Sequence, residues 1–296
     1  MSLVSVVVAT YRREGELVNA LESLAGQSFP NIEIVLVDDN GEAGWNKKVS
    51  DIVDAFRKRY PEILLQYIVN SPNQGSAKTR NIGIEAAKGA YITFLDDDDV
   101  YLPDKVKKQV EFMNSGEYDY SVTDLVLYNK SDKEIDRRVR TYIKDTSVSA
   151  LRMYHLKYHI TGTDTMMFKK EYLTQIGGFA PIDVGDEFYL MQRAIEGGGK
   201  FGYLPGCEIK AYVHTGEGGL SSGEGKIKGE NALYEYKKTF FDKLSAKDIR
   251  YIKMRHFAVL AFAEIRRKKY GAFFKNAMKA FLVSPIACVR LLVVDR

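Results

Sequence analysis

Two nearly continuous apolar runs near the start of the chain are the feature that most constrains its fold. They are LVSVVVA (residues 3–9) and IEIVLVD (residues 32–38), both rich in β-branched side chains. Such runs are typical of strands that are buried on both faces of a parallel sheet and therefore need helices on each side. Between them, Leu17, Leu21 and Leu24 recur at helical spacing, which predicts a connecting helix.

The same alternation continues through the first hundred residues. Helices are predicted over 14–25, 45–59 and 76–87, and further strands over 64–69 and 91–95. This β-α-β-α-β-α-β order predicts an α/β fold with a mostly parallel central sheet flanked by helices. In such sheets, ligands bind beyond the carboxyl ends of the strands.

The second half of the chain is less regular and ends in a helical segment. Its predicted strands are 120–128, 163–168, 200–204 and 209–213, and its predicted helices are 169–176, 186–196 and 230–279. The glycine-rich stretch 216–226 is expected to be a mobile loop. We predict one domain over 1–230, with halves over 1–100 and 101–230, followed by a basic helical tail over 231–296.

Charge is distributed unevenly and restricts the expected partners. Residues 243–296 hold 13 Lys/Arg and three Asp/Glu, a net charge of +10, which leaves −6 for residues 1–242 out of the total of +4. An acidic body argues against nucleic-acid binding, whereas the basic tail is suited to an anionic surface. The two cysteines, the lack of a signal-peptide pattern and the lack of a long apolar run favour a cytoplasmic protein.

Polar residues follow three of the predicted strands, as expected of a binding site. They are Thr10-Tyr11, Asp38-Asp39 and the four consecutive aspartates Asp96–Asp99. Four adjacent carboxylates repel one another, and the aspartates at the two ends of a D-x-D spacing, Asp96 and Asp98, offer the hard oxygen ligands that Mg²⁺ or Mn²⁺ prefers. A helix cap would need only one of the four.

Two further positions are suited to holding a nucleoside diphosphate. Gly75 permits close approach of the backbone, and Arg80 in the following helix can bind a phosphate or fix a carboxylate. The chain contains neither a GxxxxGK[ST] nor a GxGxxG motif. The sequence therefore gives no support to P-loop or Rossmann-dehydrogenase chemistry.

Five stretches in order resemble family 2 glycosyltransferases of the GT-A fold. They are VSVVVATYRREGELVNALESLAGQS, IEIVLVDDN, NQGSAKTRNIGIEAAKGAYITFLDDDD, IGGF and GDEFYLMQR, and together they run from residue 3 to about residue 215. The resemblance implies an enzyme that transfers a sugar, with inversion, from a nucleotide-diphosphate sugar such as a UDP-sugar to a hydroxyl acceptor. It also implies Mn²⁺ or Mg²⁺ as the cofactor, and it makes 1–100 the nucleotide-binding half and 101–230 the acceptor-binding half of the domain.

The resemblance assigns roles to individual residues. Thr10, Tyr11 and Asp39 match the positions that hold the nucleotide base, and Arg80 matches an arginine near the nucleotide. Among the aspartates, Asp96 faces the ribose, Asp97 is the variable middle position, Asp98 binds the metal and Asp99 supports the site. His214 matches a late histidine that completes the metal or pyrophosphate site.

The general base of the family lies in an E-D-x-x-L-x-x-R pattern. Here the segment reads Asp186-Glu187-Phe188-Tyr189-Leu190-Met191-Gln192-Arg193, so the two acids stand in reversed order. Counting back from the leucine and the arginine favours Glu187 as the base, with Asp186 as the alternative. The local alternative is that both acids only complement the helix dipole.

Two other functions and two roles for the tail remain open at this stage. A catalytically silent nucleotide-sugar or glycan-binding module would keep the binding residues, and a sugar nucleotidyltransferase would use a related sheet. For the tail, we favour contact with anionic lipid at the inner face of the cell membrane, which suits a lipid-linked or glycan acceptor. The alternative is that it packs on the protein or forms a homodimer.

Overall fold

The computed structural model describes residues 2–182, 184–213 and 223–293. The strands are β1 (Val4–Thr10), β2 (Ile32–Asp38), β3 (Leu64–Val69), β4 (Tyr91–Asp96), β5 (Val100–Tyr101), β6 (Tyr120–Thr123), β7 (Leu125–Tyr128), β8 (Glu134–Arg138), β9 (Met166–Lys169), β10 (Phe201–Leu204) and β11 (Ile209–Tyr212). The helices are α1 (Gly15–Ala25), α2 (Ala43–Arg59), α3 (Ser76–Ala86), α4 (Lys105–Ser115), α5 (Val148–Tyr158), α6 (Lys170–Gln175), α7 (Asp186–Glu196), α8 (Gly223–Lys238), α9 (Ala246–Arg266), α10 (Tyr270–Val283) and α11 (Pro285–Val293). Two short 3-10 turns cover Thr163–Thr165 and Phe241–Lys243.

The described residues fall into two compact units. One contains residues 1–146 and 160–213, and the other contains residues 147–159 and 214–296, each without its undescribed positions. The helix α5 belongs to the second unit, although it precedes part of the first unit in the chain.

A seven-stranded sheet is the centre of the first unit, in the order β10-β6-β9-β4-β1-β2-β3. Strands β3, β2, β1 and β4 are parallel, as the sequence predicts, and β9 is antiparallel to both β4 and β6. The runs of β1 and β2 are buried almost throughout, which satisfies the requirement for helices on both faces. A second sheet has the order β5-β11-β7-β8.

Glycine fixes how closely α3 approaches the sheet. A side chain at Gly83 would collide with Val7 of β1, so only glycine lets this helix lie at its observed depth. The first turns of α3 are thereby held beside the carboxyl end of the sheet, where Arg80 can contact the strand ends.

Two elements in the second half differ from the prediction. The single strand expected over 120–128 is two strands, because the buried carboxylate of Asp124 turns inward and accepts hydrogen bonds from the N–H groups of Arg140 (3.0 Å) and Gly206 (2.9 Å) and from the hydroxyl of Tyr203 (2.7 Å). The strand expected over 163–168 begins with a 3-10 turn, and only its last part pairs in the sheet.

The second unit is helical, as expected for the tail. Helices α5, α8 and α10 pack on the long helix α9, with Met254, Ala258 and Ala280 buried between α9 and α10. Among the described helices, none combines the length and the apolar character that crossing a membrane requires.

Candidate active site

The polar clusters predicted at the strand ends meet at one edge of the sheet. In the strand register, Thr10 at the end of β1 pairs with Asp38 at the end of β2, and Ala9 pairs with Asp96 at the end of β4. Because these strands are parallel, their carboxyl ends lie side by side.

Asp97 links the end of β1 to the aspartate run. Its Oδ2 accepts hydrogen bonds from the hydroxyl of Thr10 (2.8 Å) and from the backbone N–H of Tyr11 (3.0 Å). Burial, and then the charge of Asp98, raises the pKa of Asp97 to about 7, although the Thr10 hydrogen bond opposes the shift. Tyr11 as a whole residue is 47% exposed, so an aromatic side chain lies at the surface beside these bonds.

Arg13 supplies a positive charge at the same place. Its Nη2 lies 2.6 Å from Asp98 Oδ2, and its Nε lies 3.6 Å from Asp97 Oδ1. The predicted metal ligand Asp98 is therefore ion-paired with an arginine from the loop after β1. Sequence reasoning did not single out Arg13, although it lies in the YRRE segment that follows the first strand.

Arg80 connects the aspartate run to the predicted catalytic helix. It is largely buried, and its two terminal nitrogens bind Asp186 Oδ2 at 2.5 Å and Asp96 Oδ1 at 2.7 Å. Burial alone would lower its pKa, but Asp186 and Asp96 together raise it above the usual value, so the guanidinium stays charged. The guanidinium also lies 5.6 Å from the centre of the Phe179 ring.

Asp186 and Glu187 lie in the first turn of α7 and have different surroundings. Asp186 is buried, accepts a hydrogen bond from the Ser76 hydroxyl (3.2 Å) and accepts another from the N–H of Glu187 (2.9 Å), in addition to the Arg80 pair. Glu187 is partly exposed, and burial together with the neighbouring Asp186 carboxylate raises its pKa to about 7. A carboxylate whose pKa is near neutral pH is suited to accept a proton from a reacting group.

Three carboxylates converge next to these residues. Oxygen atoms of Asp96, Asp99 and Asp164 lie within 4.8 Å of one another. Asp164 Oδ1 also accepts the N–H of Asp96 at 2.9 Å, and Asp99 Oδ1 accepts the N–H of Tyr212 at 2.7 Å. Burial and mutual repulsion raise the pKa values of Asp99 and Asp164. Hard oxygen atoms brought together against their own repulsion fit Mg²⁺ or Mn²⁺.

A buried lysine, Lys105, interacts electrostatically with Asp164 of the acidic trio (Asp96, Asp99 and Asp164). Lys105 Nζ donates to the Thr93 hydroxyl (2.5 Å) and to the Tyr101 hydroxyl (2.8 Å). Burial lowers the pKa of Lys105 to about 7, and the charge of Asp164 opposes the shift. Lys105 was not predicted, because no strand or helix was read from residues 102–119 of the sequence.

Asp39, a predicted base-binding residue, lies directly after β2 and contacts the loop before α3, which ends at Gly75. Asp39 accepts the N–H groups of Gln74 (2.7 Å) and Gly75 (2.9 Å) and the side-chain amide of Asn70 (2.8 Å). Gly75 has φ +83°, a conformation that glycine adopts without strain. Asp39 therefore holds the backbone of the loop before α3 in its observed conformation.

The structure brings together nearly all of the predicted site residues. Those at the carboxyl edge or bonded to it are Thr10, Tyr11, Asp39, Gly75, Arg80, Asp96, Asp97, Asp98, Asp186 and Glu187. His214 lies outside the described residues. Asp164 was missed because it lies in the 3-10 turn just before β9, and β9 is antiparallel to β4, so this turn lies beside the end of β4. The polar TGTDT segment before MMF was the available signal.

Solved structures define the class of this fold. A mannosyltransferase from Pyrobaculum calidifontis, solved with GDP-Man and Mn²⁺, aligns over 100% of this chain and 88% of its own, with a TM-score of 0.62 and 17% identity. S. aureus TarS 1-349, solved with UDP-GlcNAc, aligns over 95% and 91%, with a TM-score of 0.61 and 15% identity. The chain therefore has the GT-A glycosyltransferase fold, with C-terminal helices.

Sequence comparison identifies the family. The model of glycosyl transferase family 2 matches residues 5–177, and the chain belongs to this family. It is 32% identical to a putative teichuronic acid biosynthesis glycosyltransferase of Bacillus subtilis over 174 residues, 59% of this chain and 65% of that protein. It is 33% identical to the UDP-Glc:alpha-D-GlcNAc-diphosphoundecaprenol beta-1,3-glucosyltransferase of Escherichia coli over 116 residues, 39% and 43% of the two chains. The matched segments span about half of the first curated relatives, 43% and 56%.

Proposed function

We propose that this glycosyltransferase moves a sugar from a nucleotide-diphosphate donor, a UDP-sugar, to a hydroxyl acceptor with inversion at the anomeric carbon. The observation that carries the proposal is the chain of contacts from Asp96 through Arg80 to Asp186, which holds Glu187 next to the aspartate run. The names of a UDP-glucose-dependent relative and of a neighbour solved with UDP-GlcNAc support the choice of donor.

Glu187 is the proposed general base. Its pKa near 7 lets it take the proton of the acceptor hydroxyl while the acceptor oxygen bonds to the anomeric carbon. The bond from that carbon to the diphosphate oxygen breaks in the same step, and the nucleoside diphosphate leaves on the opposite face. Asp186 is fixed by Arg80, Ser76 and its own helix, so its part is to orient α7 and to raise the basicity of Glu187.

A divalent ion fits the acidic cluster. Asp98 is the proposed ligand. The oxygen atoms of the acidic trio are the candidates to complete the site, since Asp96 precedes Asp98 in the chain by two residues and Asp99 follows it directly. When bound, Mn²⁺ or Mg²⁺ supplies Lewis-acid stabilisation of the departing diphosphate. We expect Asp164→Asn to weaken Mn²⁺ binding measured by titration, while Asp119→Asn, an acid paired with Lys169 away from this site, leaves it unchanged.

Thr10, Tyr11 and the loop shaped by Asp39 and Gly75 are the proposed nucleotide-binding surface. A thermal-shift panel of nucleotide sugars, with and without Mn²⁺, tests the donor and the metal together. The nucleotide sugar that raises the melting temperature most is then tested for release of nucleoside diphosphate, which separates three functions. Turnover supports the transferase, binding without turnover indicates a silent module, and pyrophosphate release from a nucleoside triphosphate indicates a nucleotidyltransferase.

We further propose that the C-terminal helices α10 and α11 contact anionic lipid, where a lipid-linked or glycan acceptor would be met. Phe274, Leu282 and Ile286 are 67%, 73% and 85% exposed, an arrangement that suits insertion at the membrane interface. Residues 270–293 hold three cations, Lys275, Lys279 and Arg290, and no Asp or Glu, and this net positive charge adds attraction to the inner face of the membrane.

Flotation with vesicles of anionic or neutral lipid tests the lipid contact. Full-length protein should float with anionic vesicles only, and the double variant Phe274→Ser/Ile286→Ser should remain below. Equal behaviour of the two proteins in both vesicles would instead favour the alternative that the helices pack on protein or form a dimer, which sedimentation would reveal.

A further inference from the structure

The IGGF stretch follows α6 and forms a turn that the proposed reaction has not used. The N–H of Gly177 donates to the carbonyl of Thr174 (3.0 Å), and the N–H of Gly178 donates to the carbonyl of Leu173 (3.1 Å), so this turn ends α6. We call residues 177–179 the GGF turn. Side chains of α3 and of α7 both bind its backbone.

Asn81 of α3 binds the GGF turn through both ends of its side-chain amide. Its Nδ2 donates to the carbonyl of Phe179 (2.9 Å), and its Oδ1 accepts the N–H of the same residue (2.9 Å). A primary amide can donate and accept in this way at once. A side chain at Gly178 would lie 2.6 Å from Asn81 Oδ1, so glycine is needed for this close contact.

Arg193 of α7 binds the same turn. Its Nη1 donates to the carbonyls of Gly177 (3.1 Å) and Gly178 (3.0 Å). Arg193 follows Asp186 by seven residues, about two helical turns, so the two side chains leave the same face of α7. The helix is therefore held at two points along its length, by the turn at Arg193 and by Arg80 at Asp186.

The ring of Phe179 connects the GGF turn to Arg80. It contacts Phe94 of β4 edge to face, with ring centres 5.1 Å apart, and the Arg80 guanidinium lies 5.6 Å from its centre. Phe179 is only 2% exposed. Because Arg80 also binds Asp186, the place of the GGF turn affects where the first turn of α7 can lie.

We infer that Asn81 and Arg193 are positioning residues, which hold the GGF turn between α3 and α7 and thereby fix the first turn of α7, with Glu187. The inference rests on the proposed role of this turn of α7 in the reaction. It does not depend on which acid is the base, because Asp186 and Glu187 are adjacent and would be positioned together.

Loss of these contacts should change the surroundings of Glu187. Burial and then the charge of Asp186 raise the pKa of Glu187 to about 7, and the charge of Arg80 opposes the shift. A helix that is held less firmly admits water to its first turn, so the pKa of Glu187 should move toward its ordinary value. A contact that added only to the overall stability of the fold would leave this pKa unchanged.

Titration of the Glu187 carboxyl group by carbon NMR tests the inference, with the signal assigned by its loss in Glu187→Gln. Asn81→Ala should lower the midpoint by about one pH unit. It should also lower the turnover number of nucleoside diphosphate release by about ten- to a hundred-fold, since the base is misplaced. Asn114→Ala is the matched control and should change neither, because this asparagine accepts the hydroxyl of Tyr91 at the other end of β4.

Arg193 gives a second test, which covers the case in which Asn81→Ala does not fold. Arg193→Lys keeps a cation that can donate to both carbonyls and should keep the midpoint of Glu187, whereas Arg193→Met should lower it. The inference is overturned if Asn81→Ala keeps the wild-type midpoint, or if Arg193→Lys and Arg193→Met have the same midpoint. Retained turnover in Glu187→Gln would instead contradict the proposed base and leave the comparison of midpoints valid.

Discussion

Replacing Glu187 by glutamine is the sharpest test of the proposed chemistry. The amide side chain would keep the size and the helix but could not accept a proton, so sugar transfer should fall by about 10²- to 10⁴-fold. Binding of the nucleotide should change little, because the proposed nucleotide contacts lie at Thr10, Tyr11 and the loop before α3. A fall in the turnover number with a constant dissociation constant for the nucleoside diphosphate is the expected result.

The size of the pH effect follows from the surroundings of Glu187. An ordinary glutamate titrates at about 4.3, and burial and Asp186 raise the pKa of Glu187 to about 7, a difference of about 4 kcal/mol in the cost of ionisation. About half of the molecules therefore carry the charged base at pH 7. The ratio kcat/KM should rise about ten-fold per pH unit below this value and level off above it.

The neighbouring acid provides the comparison. Asp186→Asn removes the charge that helps to raise the pKa of Glu187, so the rising limb should move to lower pH rather than disappear. The same change breaks the buried pair with Arg80, so the free energy of unfolding should fall by about 3–5 kcal/mol, and the assay must run well below the melting temperature.

Release of nucleoside diphosphate, measured across pH 5.5–8.5 for the wild type and both variants, provides the readout. If Glu187→Gln keeps the rising limb and Asp186→Asn abolishes turnover while still folded, the base is Asp186 and the reasoning from the structure is refuted. Circular dichroism of each variant shows whether it is folded at the assay temperature.

Three further changes have expected outcomes. Arg80→Met leaves two carboxylates without their shared cation and should lower the free energy of unfolding, measured with denaturant, by about 3–5 kcal/mol. The control Arg59→Met removes an exposed ion pair and should lower it by less than about 1 kcal/mol. Asp98→Ala should abolish Mn²⁺ binding in a spin-resonance titration, whereas Asp97→Ala should retain it. Asp97→Ala should lower the free energy of unfolding by about 1–3 kcal/mol, because two donors at the end of β1 lose their acceptor. Equal Mn²⁺ affinity in both variants would contradict the metal assignment. The pKa of Lys105 is near 7 in the folded protein and about 10.4 in the unfolded chain, so the unfolded chain binds more protons between pH 7 and about 10.4. The free energy of unfolding should therefore rise with pH over this range. Lys105→Met should remove the rise, and an unchanged pH dependence in this variant would contradict the assignment of a buried lysine.

Local sequence signals predicted the half of the sheet that is built from consecutive β-α units. The continuous apolar run IEIVLVD predicts a buried strand without knowledge of which element packs on it, and β2 is buried throughout. The leucines of α1 face the core at their predicted spacing. The second half was harder to read, because β6 and β7 are separated by the buried Asp124 and β9 pairs with strands distant in sequence. Nonlocal pairing leaves little trace in a single sequence.

The sequence by itself determined the class of fold, the edge of the sheet that carries the site, and the types of side chain available there. It did so because strand direction and alternation with helices are local properties, and because the family motifs stand in order along the chain. Only the tertiary structure decided which groups each carboxylate contacts. Arg80 binds Asp186 and Asp96, Asp97 bonds to the end of β1, and the antiparallel β9 brings Asp164 to the acidic trio. These pairings join residues that are 16 to 106 positions apart in the chain. Burial, which the tertiary structure sets, and the charge of the adjacent Asp186 together raise the pKa of Glu187.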